Sequence, residues 1–361
     1  MQKIDTIEIK NFKSIRHQKI EGCKRINVFI GYPNVGKSNI LEALSLFSVR
    51  KNESNFLDFV RLENLTTFFF NGNIEEKSEV RINDINRALV EIKFDKLSVS
   101  IQVDREKYGF DKINDDALEF KIDRKEAGIV ASYDVNESDK KVYNFSGNTP
   151  IRLTDSKKSG IFKYEYRKNI IHAGKDYWSL NHPFGENLFS VLFNNSELYK
   201  EVQELFSFYD LELIFDFREQ KLSILKRIQK GIFSIPFELV ADTLQRLIFY
   251  KASIRSNKDS ILLFEEPEAH MFPPYVKKFT TDVIFDETNQ FFIATHSPYI
   301  LTEFIEEAED DLAIYVVDYD KGETVIKRLS DNQVTEVAQY GIDLFFNLEP
   351  YLDKYGQPHS A

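Results

Sequence analysis

Short apolar runs recur along the chain with polar segments between them. Ile26-Asn27-Val28-Phe29-Ile30, Ile261-Leu262-Leu263-Phe264 and Phe291-Phe292-Ile293-Ala294 are near-continuous in apolar character, as strands covered on both faces are. Residues 4–9 roughly alternate polar and apolar positions, so two strands are expected before residue 31. Residues 38–48 carry Ile40, Leu41, Ala43, Leu44 and Phe47 at helical spacing with no breaker, which predicts strand, loop and helix in that order.

From about 51 to 147 charged segments alternate with β-rich runs such as 88–94 and 97–103, the pattern of an antiparallel lobe. Beyond it, 195–208 reads as a helix, 211–217 and 221–228 as a hairpin around Arg218-Glu219-Gln220, and 236–256 as a long amphipathic helix. Residues 312–318 and 324–329 form a second hairpin turning at Lys321-Gly322. The fold class expected is α/β: a core from 1–55 and 236–345, an inserted β-rich and helical lobe at 56–235, and a loosely held tail at 346–361. Phe68-Phe69-Phe70 is assigned to the core, and Asn181-His182-Pro183-Phe184-Gly185-Glu186-Asn187 to a structured turn.

Composition narrows the classes. At 361 residues and 42% hydrophobic content the chain can bury a substantial core. A formal charge of −11 disfavours general coating of nucleic acid, so DNA binding would need a local basic face. Cys23 is the single cysteine, which excludes an internal disulfide and a four-cysteine zinc site and fits a reducing compartment; the expected location is the cytoplasm. No apolar run approaches the roughly 20 residues of a membrane span, so no membrane association is expected, and residues 1–10 lack the apolar stretch of a secretion signal.

Three motifs carry chemistry. Gly31-Tyr32-Pro33-Asn34-Val35-Gly36-Lys37-Ser38 fits G-x-x-x-x-G-K-[ST] between a predicted strand and a predicted helix. Its glycines let backbone N–H groups face phosphates, and the helix N-terminus adds a positive dipole end. Lys37 is the candidate partner of the β- and γ-phosphates and Ser38 of Mg²⁺, with Asn34, Val35, Gly36 and Asn39 completing the ATP contacts.

Phe264-Glu265-Glu266 closes an apolar strand with two carboxylates: Glu265 is placed at the metal, and Glu266 is the catalytic residue that orients or deprotonates the attacking water. Thr295-His296-Ser297-Pro298 follows another buried strand, where His296 is the second catalytic candidate, donating to the γ-phosphate or to that water. An acidic turn or a lone histidine is ordinarily structural; the upstream phosphate loop reverses that preference.

Together with Ile9-Lys10-Asn11-Phe12-Lys13-Ser14-Ile15, these motifs in this order resemble the ABC-type ATPases of the SMC, RecF and OLD (overcoming lysogenization defect) group over most of the chain. The resemblance is carried by 31–39 with its Gly-Lys-Ser-Asn ending, by Phe264-Glu265-Glu266-Pro267-Glu268-Ala269-His270, and by Thr295-His296-Ser297-Pro298. It implies a P-loop head with a mixed β-sheet core and a head-to-tail homodimer, in which ATP at one phosphate loop is covered by the other subunit's signature helix. By position that signature falls at 239–246, where Ala241 and Asp242 stand in place of the usual Ser-Gly. Thr243 is the candidate substitute for the serine, Asp242 suits a helix cap, and Glu268, Ala269 and His270 are expected to face the partner subunit.

The stretch between Gly31 and Glu265 exceeds a minimal P-loop core yet shows no heptads, which excludes a long coiled-coil arm. Too little chain follows Pro298 for a Toprim nuclease domain, so any nuclease is expected as a separate chain. The leading expectation is a slow ATPase subunit of prokaryotic anti-phage defence. It would sense DNA or a phage product and control a separate effector such as a Toprim or HNH nuclease, in a dimer or a larger assembly. The alternatives are a RecF-like repair ATPase that binds DNA directly, and a slow nucleotide-gated scaffold.

Overall fold

A computed structural model describes residues 3–48, 58–62, 65–73, 75–83, 160–168, 170, 178–219 and 221–352, with the backbone of four strand segments between 86 and 134. Three sheets organise these residues. The central one has six strands, β16 (Glu323–Arg328), β15 (Leu312–Asp320), β3 (Ile26–Ile30), β14 (Gln290–Ala294), β13 (Ile261–Glu265) and β9 (Ile161–Tyr164), in that spatial order. All neighbours run parallel except the edge pair β15 and β16.

The near-continuous apolar character of β3 and β14, buried at every position, follows from cover on both faces. Ile26, Val28 and Ile30 point into a core shared with Leu262, Phe264, Phe291 and Ile293. The helices of that face are α4 (Asp242–Ser256), α5 (Pro273–Phe285), α6 (Pro298–Glu307) and α7 (Asp331–Tyr340), with α2 (Leu188–Asn194) and α3 (Ser196–Ser207) packed beside them. Phe29, Leu263 and Phe292 point the other way, into a core shared with α1 (Lys37–Ser45). There the Phe29 ring stacks on Tyr315 at 5.1 Å and on Phe292 at 6.4 Å. Each such ring removed from water contributes about 2 kcal/mol.

The second sheet is antiparallel and has seven strands, ordered β2 (Ile15–Ile20), β1 (Ile7–Phe12), β4 (Ser78–Ile82), β5 (Asn86–Lys93), β6 (Ser98–Asp104), β7 (Leu118–Ile122) and β8 (Ala131–Asp134). The antiparallel runs foreseen between 51 and 147 thus extend the N-terminal hairpin, because β4 pairs with β1. Three strands, not two, precede the phosphate loop. β2 was missed because its sequence, Ile-Arg-His-Gln-Lys-Ile, is apolar only at its ends; pairing with β1 makes it a strand.

β10 (Glu212–Asp216), β11 (Lys221–Ile228) and β12 (Gly231–Pro236) form a small antiparallel sheet, of which the first two are the expected hairpin. Pro236 closes β12 rather than opening a helix, and α4 starts only at Asp242 after an extended break at Val240 and Ala241. Phe68 and Phe69 are buried in the core as expected. Leu348, Tyr351 and Leu352 are buried as well, so the predicted tail is pinned at these three positions although Phe346 is exposed, while 353–361 lie outside the described residues. Among the described residues no helix is long and apolar enough to cross a membrane.

Candidate functional site

The phosphate loop leaves β3 at Gly31 and enters α1 at Lys37. Gly31 and Gly36 have φ of +153° and +103°, and Asn34 sits at +62°. Space enforces the glycines as much as torsion does: a Cβ on Gly31 would lie 2.1 Å from the Val317 carbonyl oxygen, and one on Gly36 2.2 Å from Thr324 Oγ1. Lys37 is only 6% exposed, and its Nζ donates to the carbonyls of Gly31 at 2.9 Å and Tyr32 at 2.8 Å, folding the charge back over the loop. Burial pushes the Lys37 ammonium down to about 8, against the pull of Glu266, Glu265 and Glu268.

The candidate ATP contacts divide by where their side chains go. Asn34 is exposed and Ser38 half-buried at the start of α1. Val35 is buried in the core below the loop, and Asn39 Nδ2 donates to Ser14 Oγ at 2.7 Å, so these two side chains shape the loop from beneath. A brace that no motif announced completes this underside. Thr324 Oγ1, on β16, donates to the Val35 carbonyl at 2.8 Å and lies 2.6 Å from Ser14 Oγ.

The acidic and histidine motifs end adjacent strands. In the β13–β14 register Glu265 is opposite Ala294, and the Glu266 amide continues the ladder to the Ala294 carbonyl at 2.8 Å. Glu266 then turns the chain at φ +43°, leaving its carboxylate exposed. His296 Nε2 lies 3.7 Å from Glu266 Oε1. Burial and the Lys37 charge hold the imidazole below its ordinary range, with Glu266 opposing. These surroundings favour the neutral ring, with one nitrogen a donor and the other an acceptor.

Two side chains missed in the sequence adjoin these. Arg61 Nη2 donates to Glu265 Oε1 at 2.9 Å and Arg61 Nε to Glu42 Oε1 at 2.6 Å. Glu42, fully buried on α1, also pairs with Lys13 of the N-terminal hairpin. Glu268, expected to face a partner, instead turns inward: its Oε1 accepts from Thr295 Oγ1 at 2.6 Å and from the His296 amide at 2.9 Å.

At the start of α4, the cap is Ala241, with no side-chain cap bond. Asp242 is the first helical residue and binds Arg246 Nε through Oδ2 at 2.7 Å, which corrects its reading as a cap. Thr243 Oγ1 donates to the His270 carbonyl at 2.9 Å, so the hydroxyl proposed to replace the signature serine is already engaged. The 181–187 segment is ordered by Asn187, whose Oδ1 accepts from the Asn181 amide at 2.7 Å.

The donor set suits a nucleoside triphosphate with a hard cation. The loop is cleared of Cβ atoms, its lysine is held over it, and Ser38 and Glu265 offer a hydroxyl and a carboxylate. Among the described residues no group of three His, Cys, Asp or Glu side chains is arranged to hold a metal.

The family described as "AAA domain, putative AbiEii toxin, Type IV TA system" matches residues 26–302 of the chain. An ATP/GTP phosphatase of Helicobacter pylori is 36% identical over 104 residues, which are 25% of this chain and 28% of that protein. A DNA replication and repair protein RecF of Thermoanaerobacter sp. is 43% identical over 44 residues, 12% of each chain. The chain thus spans well under a third of these relatives' own length. Among solved structures, an SMC head bound to the C-winged helix domain of ScpA covers 93% of this chain and all of its own length, with a TM-score of 0.50 and 15% identity, a likeness of fold.

Proposed function

We propose that the chain, which belongs to this AAA-domain family, is an ATPase of the SMC and RecF group that binds ATP with Mg²⁺ and hydrolyses it slowly at the shared edge of β3, β13 and β14. The observation that carries the reading is the convergence there of Lys37, Glu265, Glu266 and His296 from three adjacent parallel strands, where ligands of open α/β sheets collect.

The loop amides and Lys37 hold the phosphates. Mg²⁺, when bound, supplies charge neutralisation at the phosphate oxygens, with Ser38 Oγ and the Glu265 carboxylate as its protein ligands. Glu266, exposed and left-handed in backbone, presents its carboxylate to accept the proton of the attacking water. The neutral His296 ring, 3.7 Å from that carboxylate, orients the water or the γ-phosphate by donating a hydrogen bond. Slow turnover follows from the engaged Thr243 hydroxyl in the signature position.

The wider proposal keeps a head-to-tail homodimer closed by ATP, whose nucleotide state governs a separate effector, a nuclease of the Toprim or HNH kind, in prokaryotic defence. The family description, which refers to a toxin of a Type IV system, supports the defence setting alone; the dimer and the nuclease come from the resemblance to the SMC, RecF and OLD group. A second reading, a RecF-like ATPase acting on DNA directly, draws equal support from the RecF segment of 43% identity.

Phosphate release from Mg²⁺·ATP by the purified chain and its Glu266→Gln variant is the test. The variant is expected to lose turnover and keep ATP; equal release by both sinks the assignment. A RecF-like ATPase requires ATP-dependent binding to DNA that weakens steeply with salt; absent or salt-insensitive binding removes that reading.

A further inference from the structure

The loop after β13 and the loop after β14 are joined by one half-buried side chain, Glu268, and its geometry has the direction of a support for His296. Glu266 is tied by its amide to the Ala294 carbonyl at 2.8 Å. The chain then closes a tight turn, with Ala269 N donating to the Glu266 carbonyl at 3.0 Å and Met271 N to the Glu268 carbonyl at 2.8 Å. From this turn the Glu268 carboxyl crosses to the neighbouring loop, where a single oxygen, Oε1, accepts both the Thr295 hydroxyl and the His296 amide.

Thr295 in turn is fully buried, its amide donates to the Phe29 carbonyl at 3.2 Å, and its hydroxyl accepts the Ser297 amide at 2.9 Å. The other carboxyl oxygen of Glu268, Oε2, is shut away from solvent with no hydrogen-bond partner among the described residues. A buried oxygen without a partner costs free energy, which the two bonds accepted by Oε1 offset. Burial raises the Glu268 carboxyl above the usual range, against the bonds from the Thr295 hydroxyl, its own amide and the His296 amide.

We infer that Glu268 is a positioning residue: by accepting the Thr295 hydroxyl and the His296 amide, it fixes the backbone from which His296 reaches Glu266. The two loops then move as one unit, and the separation of imidazole and carboxylate is set by Glu268 rather than by either loop alone. The inference rests on the reading of Glu266 and His296 as the catalytic pair. Lys37 makes its hydrogen bonds to the Gly31 and Tyr32 carbonyls and feels Glu268 only through charge, after the larger pulls of Glu266 and Glu265, so nucleotide affinity should move far less than turnover.

The full chain is compared with Glu268→Ala, Glu268→Gln, Thr295→Val and Glu266→Gln for the Kd of a fluorescent ATP analogue, for hydrolysis at saturating ATP and for melting. A ¹⁵N-histidine sample, in which the chain's six histidines are few enough to resolve, reports the His296 amide directly. Glu268→Ala is expected to slow hydrolysis by roughly tenfold or more while Kd changes less than about threefold. Its His296 amide proton should move upfield as the carboxylate bond is lost. Glu268→Gln keeps an acceptor oxygen and should restore rate and resonance most of the way, and Thr295→Val should fall between.

A Glu268→Ala protein that melts earlier but hydrolyses at the native rate overturns the inference. So does an unshifted His296 amide, or a Glu268→Gln variant as slow as Glu268→Ala. If Glu266→Gln hydrolyses normally, the catalytic assignment itself fails; if it is inactive while Glu268→Ala is native, the inference alone fails.

Discussion

Arg61 Nη2 donates to Glu265 Oε1 at 2.9 Å, while the same guanidinium holds the buried Glu42 at 2.6 Å through Nε. The carboxylate assigned to Mg²⁺ therefore already has a cation beside it, and the pair joins the N-terminal hairpin to the nucleotide edge through Lys13 and Glu42. Arg61 comes from a short segment anchored by the fully buried Phe59 and Val60.

Because Arg61 is largely exposed, its bond to Glu265 is worth no more than about 1 kcal/mol, which a divalent cation displaces readily. Arg61→Ala should then lower the Mg²⁺ concentration for half-maximal ATP binding by roughly twofold to fivefold. A Mg²⁺ titration with a fluorescent nucleotide measures this, and a shift to higher Mg²⁺ would show that Arg61 supports the site instead of competing for it.

Lys13 and Glu42 carry a larger stake, since Glu42 is fully buried. Burial pushes the Lys13 ammonium down, with Glu42 pulling it back up. Lys13→Met leaves a buried carboxylate with Arg61 as its remaining cation and should destabilise the fold by about 3 kcal/mol. Adding Glu42→Gln should recover a good part of that loss in urea unfolding, and an unaltered midpoint in the single variant would refute the coupling.

The motifs legible in the sequence were those whose residues are contiguous. The phosphate loop, Glu265-Glu266 and Thr295-His296 each follow a strand marked by a continuous apolar run, and parallel pairing of β3, β14 and β13 brings them to one edge. What the sequence concealed was contact between distant segments. Thr324 reaches Val35, Arg61 reaches Glu265 and Glu268 reaches Thr295 with no local periodicity to mark any of them. The α4 boundary went the same way: Pro236 at the end of an exposed edge strand has the same local pattern as a proline in a first helical turn.

Thr324 makes the concealed brace testable. Its buried hydroxyl donates to the Val35 carbonyl and meets Ser14 Oγ directly beneath Gly36. Thr324→Val keeps the shape and leaves the Val35 carbonyl and Ser14 without that partner, a cost of about 1–2 kcal/mol falling on the loop. ATP should bind roughly tenfold more weakly while hydrolysis at saturating ATP stays near the native rate. Native affinity in Thr324→Val, measured by calorimetry, would show that the glycines alone set the loop.

Lys37 gives the site a pH dependence whose sign is fixed by its surroundings. Without nucleotide the ammonium is pushed down to about 8 by burial, with Glu266, Glu265 and Glu268 opposing. Phosphate oxygens favour the charged form, so bound ATP raises that value and binding above pH 8 draws in a proton. Below it Lys37 is already charged and affinity is level. Above it affinity falls, by up to about tenfold per pH unit, until the lysine of the complex itself titrates. Calorimetry at pH 9 in two buffers of different ionisation enthalpy should record uptake approaching one proton per ATP. A Lys37→Arg variant, charged throughout, should bind with a flat profile over the same range. Identical wild-type Kd values at pH 7 and pH 9.5, with no proton uptake, would mean that the lysine keeps its full charge in the empty loop.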